Sequence, residues 1–265
     1  MNYQKDKILA PFTTVKIGGP AEFFIVAESK HQLQQILDDI PVNKGKKITI
    51  LGNGSNTLIS DKGIDGYCIK NNSSDIKLLD NNQIEVDSGV QLSRLIDFSL
   101  QHQLTGLETF AYIPSTIGGA IAGNIHGTKE TFDHFVKKIQ YHPLHTNIIL
   151  SAILQLQPGD SKQAQQIKQD IINHKQQTQP TNSLGCIFKN PSPDQPSGYI
   201  IDKLLNLKGH RIGDAQISEK HANFIINLGQ ATAKDYYGLI TLIQNKAKKE
   251  LNINLELEIK LLGKI

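Results

Sequence analysis

Lys47-Ile48-Thr49-Ile50-Leu51-Gly52-Asn53-Gly54-Ser55-Asn56-Thr57 is the stretch whose reading decides the fold: an apolar strand runs straight into a loop of small residues. Its glycines permit positive φ and close backbone approach, while Ser, Asn and Thr add short hydrogen-bonding side chains. Successive backbone N–H groups in such a turn form a nest suited to a pyrophosphate. The loop matches neither the Walker pattern nor the dinucleotide fingerprint, and a plain turn between strands fits it as well.

Upstream, Phe23-Phe24-Ile25-Val26 reads as a short buried strand. Ser29 followed by Gln32 is a capping-box pattern, and Leu33, Ile36, Leu37 and Ile40 then fall on one helical face. The first fifty residues therefore read β-α-β, one small α/β layer. Phe12-Thr13-Thr14-Val15-Lys16-Ile17 precedes them as a strand-like run closed by Gly18-Gly19-Pro20.

Downstream, short strands are expected from Asp65 to Val90, then a helix from Gln91 to Leu100 with Leu92, Leu95, Ile96 and Leu100 inward. A second small-residue loop follows, Ile113-Pro114-Ser115-Thr116-Ile117-Gly118-Gly119-Ala120, reaching Asn124. It suits either main chain pressed on a flat ligand or a helix packed closely on a sheet. Two such loops together favour an anionic or nucleotide cofactor. Strands occupy 129–158, and a polar helix with Ala164, Ile167, Ile171 and Ile172 as its stripe occupies 160–179. Composition shifts after Pro180, where a domain boundary is placed.

Ser183-Leu184-Gly185-Cys186-Ile187-Phe188-Lys189-Asn190-Pro191 then sets one of two cysteines in a turn with a cation and an amide close behind. Such a thiol could exchange a proton at a reacting centre, or be a small buried residue at a strand end. A helix over 199–207 stops at Gly209, a strand spans 222–227, and Thr232 with Asp235 opens a helix burying Tyr236, Leu239, Ile240 and Ile243. The last strand alternates, with Leu255, Leu257, Ile259 and Leu261 on one face and Glu256, Glu258 and Lys260 on the other. On spacing alone Glu256 and Glu258 are equal candidates for an acid or charge stabiliser.

A net charge of +3 on 265 residues, with lysines spread out, leaves no nucleic-acid footprint. The nearest basic run, Lys44-Gly45-Lys46-Lys47, reads as a solvated loop. Cys68 and Cys186 are too few for a disulfide framework or zinc site. No signal peptide or membrane-length apolar run is present, so a cytoplasmic protein without membrane or nucleic-acid partners, and monomeric, is expected.

These motifs, in this order and nearly end to end, resemble the UDP-N-acetylenolpyruvoylglucosamine reductase (UDP-N-acetylmuramate dehydrogenase) family. Thr13 to Ala21 resembles its opening motif with Lys16 where Arg is usual, Leu51 to Asn56 its flavin pyrophosphate loop, and Ile113 to Ala120 with Asn124 its second flavin loop. Gly185 to Pro191 and Lys208 to Phe224 resemble its substrate-domain signatures. The resemblance implies an α+β chain: an FAD-binding fold of the vanillyl-alcohol-oxidase (PCMH) type in two subdomains, 1–60 and 61–180, plus a C-terminal α+β substrate-binding domain, 181–265. It implies FAD as cofactor, NADPH as co-substrate and reduction of UDP-N-acetylglucosamine enolpyruvate to UDP-N-acetylmuramate, a peptidoglycan precursor.

Flavin contacts are implied at Ile17, Gly18, Gly52, Asn53, Gly54, Ser55, Asn56, Ser115, Thr116, Gly118, Gly119 and Asn124, and substrate contacts at Lys189, Asn190 and His221. Cys186 occupies the place of the family's proton-donating Ser, and Glu258 that of a carboxylate polarising the developing enol. The family's Tyr-Arg-x-Ser arginine, which holds the substrate carboxylate, has no counterpart: no Arg occurs from Ser115 to Leu150. Tyr141-His142-Pro143 is its remnant, and His142, with His145 beside it, is the expected catalytic stand-in. The missing Arg also admits a homologue that binds flavin and nucleotide sugar without turnover. An FAD-dependent oxidase with another substrate is the remaining alternative.

Overall fold

The computed structural model describes residues 2–40 and 45–265, so Lys44 of the basic run lies outside the described residues. The first half of the chain contains β1 (Gln4–Ile8), β2 (Pro20–Ala27), α1 (Lys30–Asp39), β3 (Ile48–Leu51), β4 (Thr57–Ile59), β5 (Ile64–Asn71), β6 (Ile76–Leu79), β7 (Gln83–Asp87), α2 (Leu92–Gln101), β8 (Leu104–Thr105) and α3 (Ile117–Gly123). The second contains β9 (Val136–Tyr141), β10 (Ile149–Gln155), β11 (Gln157–Pro158), α4 (Ser161–Thr178), α5 (Ser197–Tyr199), β12 (Arg211–Ile212), β13 (Ala215–Ile217), β14 (Ile225–Asn227), α6 (Ala233–Leu251) and β15 (Lys260–Leu262).

Two compact units interleave along the chain: residues 1–3, 24–53 and 67–177 form one, and 4–23, 54–66 and 178–265 the other. In the first unit, β3 runs parallel to β5 with Ile48 opposite Tyr67 and Leu51 opposite Lys70. Ser29 caps α1, its hydroxyl accepting from Gln32 N, while the Gln32 side chain accepts from Glu28 N rather than from Ser29. Leu33, Ile36 and Leu37 of α1 pack on Ala27, Ile69, Ile148 and Leu150. An antiparallel sheet of order β6-β7-β10-β9 supports α2 and α3 through Ile84, Val86, Leu95, Ile96, Ile117 and Leu154. α4 buries only Ala164 and leaves Ile167 40% exposed, so the expected apolar stripe is not a packing face.

The second unit folds α6 over the three-stranded sheet β12-β13-β14. The capping box at its start is complete: Thr232 Oγ1 accepts from Asp235 N and Asp235 Oδ2 accepts from Thr232 N, both at 3.0 Å. Tyr236 is fully buried, and its hydroxyl donates to Ile225 O at 2.9 Å, so the one polar atom is satisfied. The burial alternation expected over 255–261 holds, with Leu255 and Ile259 buried and Glu256, Glu258 and Lys260 exposed, but the strand itself is only β15, Lys260–Leu262.

Three further expectations are corrected. Phe12–Ile17 is not a strand: the Thr13 hydroxyl accepts from Ile17 N and donates to Ile17 O, closing a tight loop in which Lys16 takes φ +58°. The helix read over 199–207 begins at Ser197 and continues as a π-turn, Ile200–Leu204, before Gly209 at φ +78° ends it. The strand read over 222–227 is short, because Ala222–Phe224 is held as a turn by Phe224 N donating to His221 O.

Candidate active site

In the first unit β3 delivers Gly52 against the start of α3. The Thr116 hydroxyl caps that helix by accepting from Gly119 N at 3.3 Å. A Cβ on Gly52 would sit 2.5 Å from this same Oγ1, so only glycine fits beside the cap. Gly118 is pressed on Ser88 by its N–H donating to Ser88 O at 2.7 Å. Asn53 and Gln91 exchange amide hydrogen bonds at 2.5 and 2.7 Å, and Asn53 Nδ2 also donates to Pro114 O. Lys70 Nζ donates to Gly52 O at 2.9 Å, and burial pulls its pKa below the ordinary lysine value. Neither Lys70 nor Gln91 was found from sequence, since each reaches the loop from a separate element with no local signal.

Beyond Gly52, the backbone N–H groups of Asn53, Gly54, Ser55 and Asn56 make no hydrogen bond to the chain among the described residues. Four successive unpaired donors in a mostly half-buried loop are the donor set a diphosphate requires, so the residues present fit a dinucleotide cofactor. The α3 loop contributes differently. Its N–H groups at Ile117, Gly118, Gly119 and Ala120 are all committed within the unit and the Ile117 and Ala120 side chains are buried, so the backbone of Gly118 and Gly119 is the part left accessible. Ser115 is buried, its hydroxyl donating to Thr116 O. Asn124 stands at the opposite end of α3 from Thr116, at φ +38°, its side-chain oxygen accepting from Asp133 N.

In the second unit Gly54, at φ +58°, packs against Phe12 O and Thr13, while Gly18 packs against Leu9, Ala10 and Ile59. The Cys186 stretch runs antiparallel to the segment just before β15, through one isolated bridge. Phe188 pairs with Leu257, Glu258 N donates to Ile187 O at 2.8 Å, and Lys189 N donates to Glu256 O at 2.9 Å. This register sets Glu258 opposite Ile187 and Cys186 opposite Ile259. Asn56 straps the same segment, its amide donating to Glu258 O at 3.2 Å and its carbonyl accepting from Lys260 N at 2.9 Å. Asn223 pins the other side, accepting from Phe188 N and donating to Phe188 O.

Cys186 is half-buried, whereas Cys68 is fully buried and its thiol is pushed up to about 12 by that burial. Only Cys186 is therefore suited to proton exchange with a ligand. Lys189 is exposed with Glu256 at 3.4 Å, and the Asn190 side-chain oxygen accepts from Ser197 N at 2.9 Å. The His221 ring lies against Gly198, with Nδ1 accepting from Asn223 N at 3.2 Å.

His142 does not fit its expected role. It is 1% exposed, and its Nδ1 accepts from both Leu144 N and His145 N. Its Nε2 lies 3.2 Å from Asp38 Oδ1, outside hydrogen-bond geometry. An imidazole so enclosed staples a turn and presents no donor to a substrate carboxylate. His145 Nε2 likewise meets Leu37 O at 3.2 Å.

A run of unpaired backbone donors after β3 fits a diphosphate-bearing cofactor, and the second unit carries a half-buried thiol; each is a feature of a cofactor-dependent enzyme. A family model described as an FAD binding domain matches residues 21–141, and one described as UDP-N-acetylenolpyruvoylglucosamine reductase, C-terminal domain, matches 176–262. The UDP-N-acetylenolpyruvoylglucosamine reductase of Synechococcus sp. (strain JA-3-3Ab) is 36% identical over 96% of this chain and 89% of its own length. That of Bacillus pumilus (strain SAFR-032) is 33% identical over 96% of this chain and 92% of its own. The crystal structure of the Thermus caldophilus reductase superposes with a TM-score of 0.83 at 27% identity, covering 99% of this chain and all of that one.

The chain belongs to the UDP-N-acetylenolpyruvoylglucosamine reductase family. Its fold is accordingly α+β, an FAD-binding fold of the vanillyl-alcohol-oxidase type with a C-terminal α+β domain, and its cofactors are FAD and NADPH.

Proposed function

We propose that this protein reduces UDP-N-acetylglucosamine enolpyruvate to UDP-N-acetylmuramate at the expense of NADPH, in peptidoglycan precursor synthesis. FAD, bound and reduced, supplies the hydride. The observation that carries the reading is the pairing of the stretch that bears half-buried Cys186 with the segment that bears Glu258, through Glu258 N donating to Ile187 O. Hydride arrival at C3 of the enolpyruvyl group leaves negative charge at C2, next to the carboxylate. The Cys186 thiol gives its proton to C2, forming the C–H bond, and the thiolate recovers a proton from solvent. A thiol near pKa ~8.5 is a far stronger acid than a hydroxyl, so the exchange of Ser for Cys preserves the step. Glu258 polarises the developing enol. Lys189, Asn190 and His221 contact the substrate, Lys189 as the cation and Asn190 through its amide N–H groups.

Gly52, Asn53, Gly54, Ser55 and Asn56 hold the diphosphate of FAD through main-chain N–H groups. Ile17, Gly18, Ser115, Thr116, Gly118, Gly119 and Asn124 complete the cofactor's surroundings. In this reading residues 1–60 and 61–180 serve the flavin and 181–265 the substrate. No helix among the described residues is long and apolar enough to cross a membrane, and we place the protein in the cytoplasm as a monomer acting on small molecules.

The test is reconstitution with FAD followed by NADPH and the enolpyruvyl nucleotide sugar. NADPH oxidation matched mole for mole by a product heavier by one hydride and one proton is expected. Flavin reduction without product formation would instead favour a binding homologue lacking turnover, the reading that the absent arginine and enclosed His142 support.

A further inference from the structure

We propose that Lys70 is a positioning residue for the cofactor loop, acting on the diphosphate through Gly52. Gly52 is held from two sides: the Thr116 cap occupies the space a side chain would need, and Lys70 Nζ takes its carbonyl at 2.9 Å. With that carbonyl drawn toward β5, the peptide plane is fixed at the point where the unpaired N–H groups of Asn53 to Asn56 begin. Lys70 is the last residue of the β3–β5 register, opposite Leu51, so its side chain reaches the loop from the strand paired with the one that feeds it.

The ammonium is only weakly compensated, Glu28 acting on it from beyond ion-pair distance. Half-buried, with its pKa lowered by desolvation, it has no carboxylate at ion-pair distance among the described residues. A desolvated cation whose partner is a neutral carbonyl stands in need of negative charge, and a diphosphate on the adjoining donors supplies it. Other exposed lysines of this unit, such as Lys77 on β6, hold no such place. The proposal rests on FAD binding as read above, and adds to it the residue that aims the loop.

The experiment titrates FAD into the apo-protein and follows quenching of flavin fluorescence, for wild type, Lys70→Met, Lys70→Gln, Lys70→Arg and Lys77→Met, with thermal melts of each. Losing a charge-assisted hydrogen bond predicts a roughly ten- to hundred-fold weaker FAD Kd for Lys70→Met and Lys70→Gln. Lys70→Arg, which keeps charge and donor, restores most of it, and Lys77→Met is unchanged. FAD affinity unaltered in the two neutral variants overturns the proposal. So does equal loss in Lys70→Arg accompanied by a lowered Tm, which marks a packing role. Wild type that fails to bind FAD would instead refute the flavin reading itself.

Discussion

Gly52→Ala combined with Thr116→Ala tests the loop geometry quantitatively. An alanine Cβ at position 52 would lie 2.5 Å from Thr116 Oγ1 and 3.3 Å from its Cγ2, while the Thr116 Cβ stands at an ordinary 3.5 Å. Gly52 does not need positive φ, so the cost is the collision rather than the backbone. Thr116 cannot rotate away without releasing Gly119 N from its cap. Overpacking of this kind costs about 1–3 kcal/mol, and a lost cap about 1 kcal/mol. Gly52→Ala alone should therefore destabilise by about 2 kcal/mol, lowering Tm by roughly 4–8 °C if the chain melts as one unit of this size. In a Thr116→Ala background both colliding atoms are gone, and the same change should cost less than about 0.5 kcal/mol, a coupling of about 1.5 kcal/mol. Urea melts of the four proteins measure the cycle, and FAD titration should show the same pattern. Equal cost of Gly52→Ala in both backgrounds would refute the reasoning.

Cys186→Ala should leave flavin reduction by NADPH at the wild-type rate while slowing product formation by roughly a hundred-fold or more, the contribution of a positioned acid. Cys186→Ser should restore part of it; stopped-flow traces of the two half-reactions decide, and equal loss in both would make the thiol structural. Burial raises the Asp87 carboxyl above its ordinary value, opposed in part by the Asp75 N–H and Lys30. Folded Asp87 thus holds its proton at a pH where the unfolded chain has lost it, and its contribution to stability falls as pH rises through that window. Asp87→Asn should gain stability over wild type as pH rises from the usual carboxylate value through the raised one. A gain that shrinks over that range would contradict the assignment. His142→Ala leaves the Leu144 and His145 N–H groups without their acceptor and should cost about 1–3 kcal/mol in urea melts, with flavin reduction unchanged. Undiminished stability with lost turnover would instead return His142 to the chemistry.

Periodic elements were legible because their pattern is local: the α1 and α6 faces and the alternation from Leu255 to Leu261 need only the residues themselves. Phe12–Ile17 misled because a β-rich composition hid a Thr13 hydroxyl that closes the loop on Ile17. The π-turn at Ile200–Leu204 has no composition of its own. At the candidate site, the Gly52 loop announced itself through small residues after a strand. Lys70 and Gln91 did not, since they meet the loop across 18 and 38 residues of chain, Lys70 from the strand paired with β3 and Gln91 from the start of α2. His142 was read from its place in a motif, and motif order cannot show that α1 closes over the ring through Asp38.

The substrate's carboxylate still needs a cation, and the structure narrows where it comes from. The chain has two arginines. Arg94 donates to Ser74 O at 2.7 Å, and Arg211 is bound to Asp214 and to Gly213 O, so both guanidinium groups are engaged locally. Lys189 lies three residues beyond Cys186 on the same paired stretch, exposed, its only ion pair among the described residues a 3.4 Å contact with exposed Glu256. Such a surface pair is weak, about 0–1 kcal/mol, and yields readily to a better anion. An ammonium is a point charge without the guanidinium fork, so it holds a carboxylate less firmly than the family's arginine. Lys189→Met should therefore raise KM for the enolpyruvyl substrate about ten-fold or more, the scale of one charged hydrogen bond, with flavin reduction untouched. Lys189→Arg should keep or improve kcat/KM. Steady-state kinetics in which neither change alters KM would move the cation elsewhere, and would leave the enzyme holding its substrate carboxylate without a charge from the Cys186 strand.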